Sequence, residues 1–157
     1  ENLFERSGWM RLTLMTDYAL RLLMHVARHP ERLCTIAEIA QAHCISEAHL
    51  MKVTHQLARQ GWIETVRGKG GGMRLARAPE AINIGELVRA TEDDLALVEC
   101  FQSGPPRCPI VHACTLQGVL AQSLNAFFDV LDRYTLADLL HPKAKLVAIF
   151  GAANTAQ

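Results

Sequence analysis

Three patterns in the sequence predict a mainly α fold carrying one small β-hairpin. Apolar residues recur at helical spacing over residues 16–29 and again over 116–134. Two helix starts, at Thr35 and Ser46, are written close together. A glycine-rich turn at residues 68–72 separates two short stretches that read as strands. With 157 residues, 50% of them hydrophobic, the chain can bury one good core plus an appended helix. No apolar run reaches the ~18 residues that a bilayer span needs, and nothing at the N-terminus has the regions of a signal peptide, so a cytoplasmic protein with no membrane partner is expected.

Residues 1–9 partly resemble a protease-site remnant left by an expression vector, which makes Met10 the expected native start. The first helix is predicted over Thr16 to His29, with Tyr18, Leu22, Leu23, Val26 and Ala27 at helical spacing and Pro30 just beyond its end. Asp17 and Arg21 stand one turn apart on one face; as a plain surface ion pair they would contribute ~0.3–0.5 kcal/mol. Thr35 and Glu38 have the spacing of a capping box, in which the hydroxyl and the carboxylate satisfy each other's exposed amides. A short helix therefore runs from there to about His43. Cys44 and Ile45 make a turn, and Ser46 caps a third helix with Leu50, Val53, Thr54 and Leu57 inward and Gly61 as its left-handed stop. Two capped helices joined by a short turn are a helix-turn-helix.

The outer face of the third helix presents His49, Lys52, Gln56 and Arg59, with Glu47 at its tip. A solvated surface would look the same, but the next stretch favours a duplex as partner. Residues 62–67 alternate as a strand, 68–72 form a turn and 73–76 return, giving a β-wing directly after a candidate recognition helix. The wing tip joins Arg67 and Lys69 to Gly70 and its neighbouring glycines, whose bare backbone can approach a phosphate or a minor groove closely. A nucleotide-cradling loop is excluded, since no Ser/Thr follows Lys69 and the glycines join strand to strand. Net charge is zero overall, yet residues 46–77 hold six basic against two acidic residues (+4), and residues 78–157 hold five against nine (−4). That asymmetry is the footprint of one face meeting phosphates. Residues 10–80 thus read as a winged helix-turn-helix binding double-stranded DNA through Thr35, Ser46, Glu47, His49, Lys52, Gln56, Arg67, Lys69 and Gly70.

Residues 81–115 read as a linker helix (Ile84 to Thr91), an acidic patch (Glu92, Asp93, Asp94) and a loop. Three of the five cysteines, Cys100, Cys108 and Cys114, fall within that loop, which is held open by Gly104, Pro105, Pro106 and Pro109. Thiolates on an irregular backbone can converge on a soft metal centre such as zinc, copper(I) or an iron–sulfur cluster. No C-x-x-C pair marks a structural zinc site, although His112 would complete a Cys3His set. Ordinary packing of reduced cysteines is the plain alternative. Arg107 is the expected local counter-charge. Residues 116–141 hold a long helix whose apolar stripe (Leu116, Leu120, Leu124, Phe127, Leu131, Tyr134) is broader than so small a domain can cover, so self-association is expected, against the alternative of a helix folded on its own core. Thr135 to Asp138 caps a short last helix, and residues 142–157 read as a flexible tail.

Several of these stretches resemble one family. Met10-Arg-Leu-Thr, Asp17-Tyr-Ala-Leu-Arg21, His49-Leu-Met-Lys52, Gly61-Trp-Ile-Glu, the run Arg67 to Ala76, Ala90-Thr-Glu92 and Val98-Glu-Cys-Phe101 with two later cysteines are similar to the Rrf-two family of bacterial winged-helix regulators, in particular its nitric-oxide-sensing iron–sulfur repressors. The resemblance covers about Met10 to Leu140. It implies a homodimer with a 4Fe–4S cluster (2Fe–2S being the alternative) on the three cysteines, Asp17 of the partner subunit as fourth ligand and Arg21 close by. It further implies that the helix starting at Ser46 enters the major groove, the wing lies in the minor groove, and nitric oxide is the signal that lifts repression. A branch of the family that governs cluster assembly uses a histidine three residues after its last cysteine, where this chain has Gln117, so that pattern fails here. The rival functions are a related regulator sensing iron or redox state, a redox enzyme or electron carrier on the same cluster, for which no nicotinamide or flavin signature is present, and a zinc-stabilised DNA-binding module without sensing.

Overall fold

A computed structural model describes residues 11–105 and 108–140. The vector-remnant reading of residues 1–9, the start at Met10, the counter-charge at Arg107 and the tail reading all lie outside the described residues. The elements follow in the order α1 (Leu14–Ala27), α2 (Ile36–His43), α3 (Glu47–Arg59), β1 (Ile63–Val66), β2 (Gly72–Leu75), α4 (Ile84–Thr91), α5 (Thr115–Leu131) and α6 (Leu136–Leu139). The chain is mainly helical with one two-stranded antiparallel sheet, the architecture expected from its patterns.

Helix α1 begins earlier than its apolar period suggests, because Thr13 serves as N-cap and its hydroxyl accepts the Thr16 amide at 3.3 Å. Its inner face is the centre of the core: Ala19, Leu22 and Leu23 are fully buried, and the helix packs against α2, α3, α4, α6 and β2. Burying each leucine contributes ~1.5–3 kcal/mol. The capping box of α2 forms as read, with the Glu38 amide donating to the Thr35 hydroxyl and the Thr35 amide donating to the Glu38 carboxylate, both at 3.2 Å. Between α2 and α3, Cys44 takes the left-handed conformation (φ 53°), which turns the chain so that Ile45 is buried and its amide reaches the Ala40 carbonyl at 3.0 Å. Ser46 caps α3, and Leu50, Val53, Thr54 and Leu57 point inward as expected.

The hairpin pairs Ile63 with Leu75 and Val66 with Gly72. The alternation expected for its first strand is not kept: Ile63 is buried, but Glu64, Thr65 and Val66 are all exposed. The base of the wing, Trp62, Ile63, Met73 and the half-buried Leu75, packs on the core, while its tip stands out in solvent. A third rung fixes that base, since Cys34 and Met73 exchange backbone hydrogen bonds at 2.9 and 2.7 Å.

The second half closes on the same core through Ile82, Ile84, Leu87, Val88, Phe128 and Leu136. Helix α5 stops at Leu131, short of Tyr134, and the carbonyls just beyond it bond the start of α4. The Asn83 side chain donates to the Asp132 carbonyl at 2.8 Å, and the Ile84 amide donates to that of Tyr134 at 3.0 Å. Arg89 grips Asp132 through two hydrogen bonds of 2.7 and 2.8 Å while its guanidinium lies over the Phe128 ring. The remaining apolar side of α5 is uncovered: Leu116 is 61% exposed and Val119, Val130 and Tyr134 about half. Among the described residues no helix is long and apolar enough to cross a membrane.

Two groups tie stability to acid. Burial, then the neighbouring charges of His25, Arg21 and Arg28, push the His43 imidazole from 6.5 down to about 4, against a smaller opposing pull from Asp17. At Glu38 burial works upward, but hydrogen bonds from Arg32, the Thr35 amide and His25 outweigh it and hold the carboxyl at about 2. In each case the unfolded chain binds the proton at higher pH than the folded one, so stability rises with pH across the window between the two values. The His43 contribution is complete above 6.5 and is lost as pH falls towards 4; that of Glu38 is complete above 4.5 and is lost towards 2. A thermal-unfolding series from pH 7.5 to 3 should show the midpoint falling in two stages. His43→Gln should shrink the upper stage and leave the lower one.

Candidate functional site

Helix α3 turns Ser46, Glu47, His49, Lys52 and Arg59 fully outward and Gln56 partly so. Four buried residues on the opposite side make the helix strongly two-faced, so its outer face is free for another molecule. His49 leans towards Tyr18 of α1, with ring centroids 6.0 Å apart. Thr35 is exposed at the start of α2, held by the capping box. At the wing tip Arg67, Lys69 and Gly70 are exposed, and Gly68 and Gly70 take positive φ values of 98° and 78°. The other wing cations are already engaged. Arg74 bonds Glu64 across the strands at 2.8 and 2.9 Å, and Arg77 lies over the Trp62 ring at 4.6 Å.

The three loop cysteines are each half-buried. Cys100 sits in a single 3-10 turn (Glu99–Phe101), Cys108 in irregular chain ahead of a second one (Val111–Ala113), and Cys114 at the N-cap of α5. Cys114 is the N-cap residue of α5, and no side chain caps that helix. A cleft of about 640 Å³ runs between this loop and α5, lined by Asp93, Phe101, Gln102, Leu124 and Asn125 among others. Three half-buried sulfurs on one loop are a donor set of the kind that suits a soft metal centre. His112 is exposed on the same loop.

Asp17 and Arg21 lie on the outer side of α1 and pair with each other at 2.9 and 3.0 Å. Within one chain they are not gathered with the cysteines. The start of α1 is nevertheless laced to the chain that leads into the loop. Thr13 donates from its amide and hydroxyl to Glu92 at 2.8 and 3.1 Å, and the Thr16 and Thr91 hydroxyls share a buried hydrogen bond of 2.9 Å.

The three loop cysteines do not come within ligand distance of one another as a set; the gathering that the described residues do show was not legible in the sequence. His25 Nε2, Cys34 Sγ and a Glu38 carboxylate oxygen all lie within 4.8 Å of one another. Burial is the main force pushing the Cys34 thiol up to about 11. Nothing in the spacing of residues 25, 34 and 38 suggests a site, and Glu38 is already accounted for as a cap; only the packing of α1 against α2 brings the three together.

A winged helix-turn-helix with an exposed polar face on its second helix and a cationic glycine tip, joined to a cysteine loop, defines a DNA-binding transcriptional regulator. The chain belongs to the Rrf2 family, described as iron-dependent transcriptional regulators, whose match spans residues 12–142. It is 46% identical over 149 residues to the HTH-type transcriptional regulator NsrR of Shouchella clausii, covering 94% of this chain and 100% of that protein. It is 48% identical over 141 residues to the regulator of the same name from Bacillus subtilis, covering 89% and 97%. Among solved structures, CymR, the global cysteine regulator of B. subtilis, superposes with a TM-score of 0.68 at 26% identity, covering 83% of this chain and 96% of that one. The resemblance read from the motifs holds, and the relatives are regulators, not enzymes.

The wing turn supplies a test of its own. A Cβ on Gly71 would run into the carbonyl oxygen of Val66 and lie 2.9 Å from that of Gly68. Gly71→Ala should therefore deform the tip while leaving the core intact: DNA affinity in a fluorescence-anisotropy titration is expected to drop about tenfold, on the order of 1.4 kcal/mol, with an unchanged thermal midpoint.

Proposed function

We propose that the chain is a homodimeric transcriptional repressor that carries an iron–sulfur cluster, senses nitric oxide through it and releases operator DNA in response. The observation that carries this reading is the half-buried triad of Cys100, Cys108 and Cys114, its last member at the N-terminus of a helix whose apolar side is uncovered. Two copies joined along α5 would cover that side and bring each cysteine loop near the other copy. Cys100, Cys108 and Cys114 would hold the cluster, 4Fe–4S in the family resemblance, with the partner subunit's Asp17 as the oxygen ligand. When bound, such a cluster would supply iron able to react with nitric oxide. Carboxylate holds iron less firmly than thiolate does, so Asp17 is the ligand most readily lost. Its release leaves the carboxylate to Arg21, the pairing it has in the single chain. The lacing of Thr13 and Thr16 to Glu92 and Thr91 supports a rigid link from that event to the head.

In DNA binding, the two α3 helices of the dimer would enter successive major grooves ~34 Å apart. Lys52, Gln56, His49 and Glu47 would face base edges and phosphates, while Thr35 and Ser46 at the helix starts and Arg67, Lys69 and Gly70 at the wing fix the register. A change of ~3 kcal/mol in the balance between the DNA-competent geometry and its alternative shifts occupancy more than a hundredfold. Such a regulator works in the reducing cytoplasm, where its five cysteines stay reduced. The family description as iron-dependent favours one second reading, with iron supply as the signal.

Anaerobic reconstitution distinguishes these. Under the proposal, protein with iron and sulfide bound shows a broad visible sulfur-to-iron band, and nitric oxide removes band and operator affinity together. Asp17→Ala should shorten the lifetime of that band severalfold although it leaves every cysteine in place; an unchanged lifetime and an unchanged response would take Asp17 out of the site. For the wing, Lys69→Ala should weaken binding to specific and random duplexes alike and reduce the slope of log affinity against log salt by about one. Loss confined to the operator would contradict a phosphate contact.

A further inference from the structure

The trio of His25, Cys34 and Glu38 lies in the winged head, on elements other than those that carry the cysteine loop, and takes no part in the proposed sensing. We propose that it is a binding site for a single divalent cation of the zinc class. Its three ligand atoms, one nitrogen, one sulfur and one oxygen, lie within 4.8 Å of one another. Around a tetrahedral zinc ion, with bonds of ~2.0–2.3 Å, such atoms sit about 3.4–3.8 Å apart, so an inward shift of roughly an ångström completes the geometry. The mixed donor set suits a borderline-soft ion and discriminates against magnesium and calcium, which take oxygen.

The surroundings add to this. The three ligands come from three places, the last turn of α1, the segment before α2 and the first turn of α2, so a bound ion would be held by the tertiary structure. Cys34 is fully buried and His25 nearly so, whereas the Glu38 side chain is 30% exposed and opens a path from solvent. The positive charge of such an ion is already anticipated. Arg32 sets a guanidinium nitrogen 2.8 Å from Glu38 Oε1 and is itself 44% exposed, free to swing into water as an ion enters. His25 Nε2 stands 3.3 Å from the same oxygen, a bridge in which the metal would replace the shared proton. On binding, the Cys34 thiol gives its proton to water, the ring proton that His25 holds on Nε2 towards Glu38 moves through water to Nδ1 and frees Nε2 for the ion, and Glu38 turns one oxygen from Arg32 to the ion. The fourth position belongs to water.

Placement gives the site a role. The backbone of Cys34 is paired on both sides with Met73 in β2, and Glu38 lies in the first turn of the first helix of the helix-turn-helix. An ion here would pin the base of the wing to α1 and α2, and so stiffen the DNA-binding head independently of any cluster.

The test uses the full chain with Cys100, Cys108 and Cys114 all changed to Ser, which separates this site from the loop and from the function proposed above. Cobalt(II) serves as a spectroscopic stand-in for zinc. One equivalent is expected to give a sulfur-to-cobalt charge-transfer band with tetrahedral visible bands, bleached when zinc is added. Adding Cys34→Ser should abolish the charge-transfer band, and the partly exposed Glu38→Gln should weaken cobalt binding at least tenfold. Zinc should raise the thermal midpoint of the parent and fail to raise that of Glu38→Gln, a comparison that stands even if Cys34→Ser does not fold. Absence of the band at one equivalent, its survival in Cys34→Ser, or equal affinity in Glu38→Gln would overturn the proposal.

Discussion

Helix α1 buries Ala19, Leu22 and Leu23 completely, and the elements that cover them come from both halves of the chain: α2, α3 and β2 on one side, α4 and α6 on the other. Among the described residues no other element touches so many of its neighbours. A core packed around one helix transmits displacement because close-packed side chains have few alternative arrangements. The same helix carries Asp17 and Arg21 outward, Tyr18 towards His49 of α3, and His25 towards α2. A regulator built this way has no need of a flexible joint between its cysteine loop and its winged head.

Where local chemistry decides an element, the sequence was a sufficient guide. The spacing of Thr35 and Glu38 is realised as a capping box, and so is that of Thr135 and Asp138, where the Thr135 amide meets the carboxylate at 2.7 Å. The inward residues of α3 and the whole of α4 follow from period alone. Boundaries set by distant partners were not legible. Helix α5 ends three residues early, and Asn83 and Ile84, some fifty residues upstream, take the carbonyls of Asp132 and Tyr134 just past its end, while α1 starts early with Thr13 held at Glu92. The first wing strand lost its alternation for a related reason: a hairpin that leaves the core has no buried side to alternate with.

The candidate sites divide the same way. Three cysteines within fifteen residues announce themselves by density. The outer face of α3 is readable once its inner face is known. The role proposed for Asp17 across a dimer rests on family resemblance and not on periodicity, since Asp17 and the loop are more than eighty residues apart. His25, Cys34 and Glu38 leave no trace in spacing, because they meet only when α1 lies against α2.

One further consequence follows from the cross-strand pair of Arg74 with Glu64 and from Arg77 lying flat on Trp62. Counted along the chain, this region is well supplied with positive charge, yet half of the cations on the wing are spent internally and only Arg67 and Lys69 stand at the tip. A hairpin so furnished displaces few counterions from an arbitrary stretch of chromosome, so its background adhesion there is weak. On the proposed reading, residence at a chosen locus would then come mainly from how well the base edges match α3, which would let a small number of molecules find few targets among many decoys.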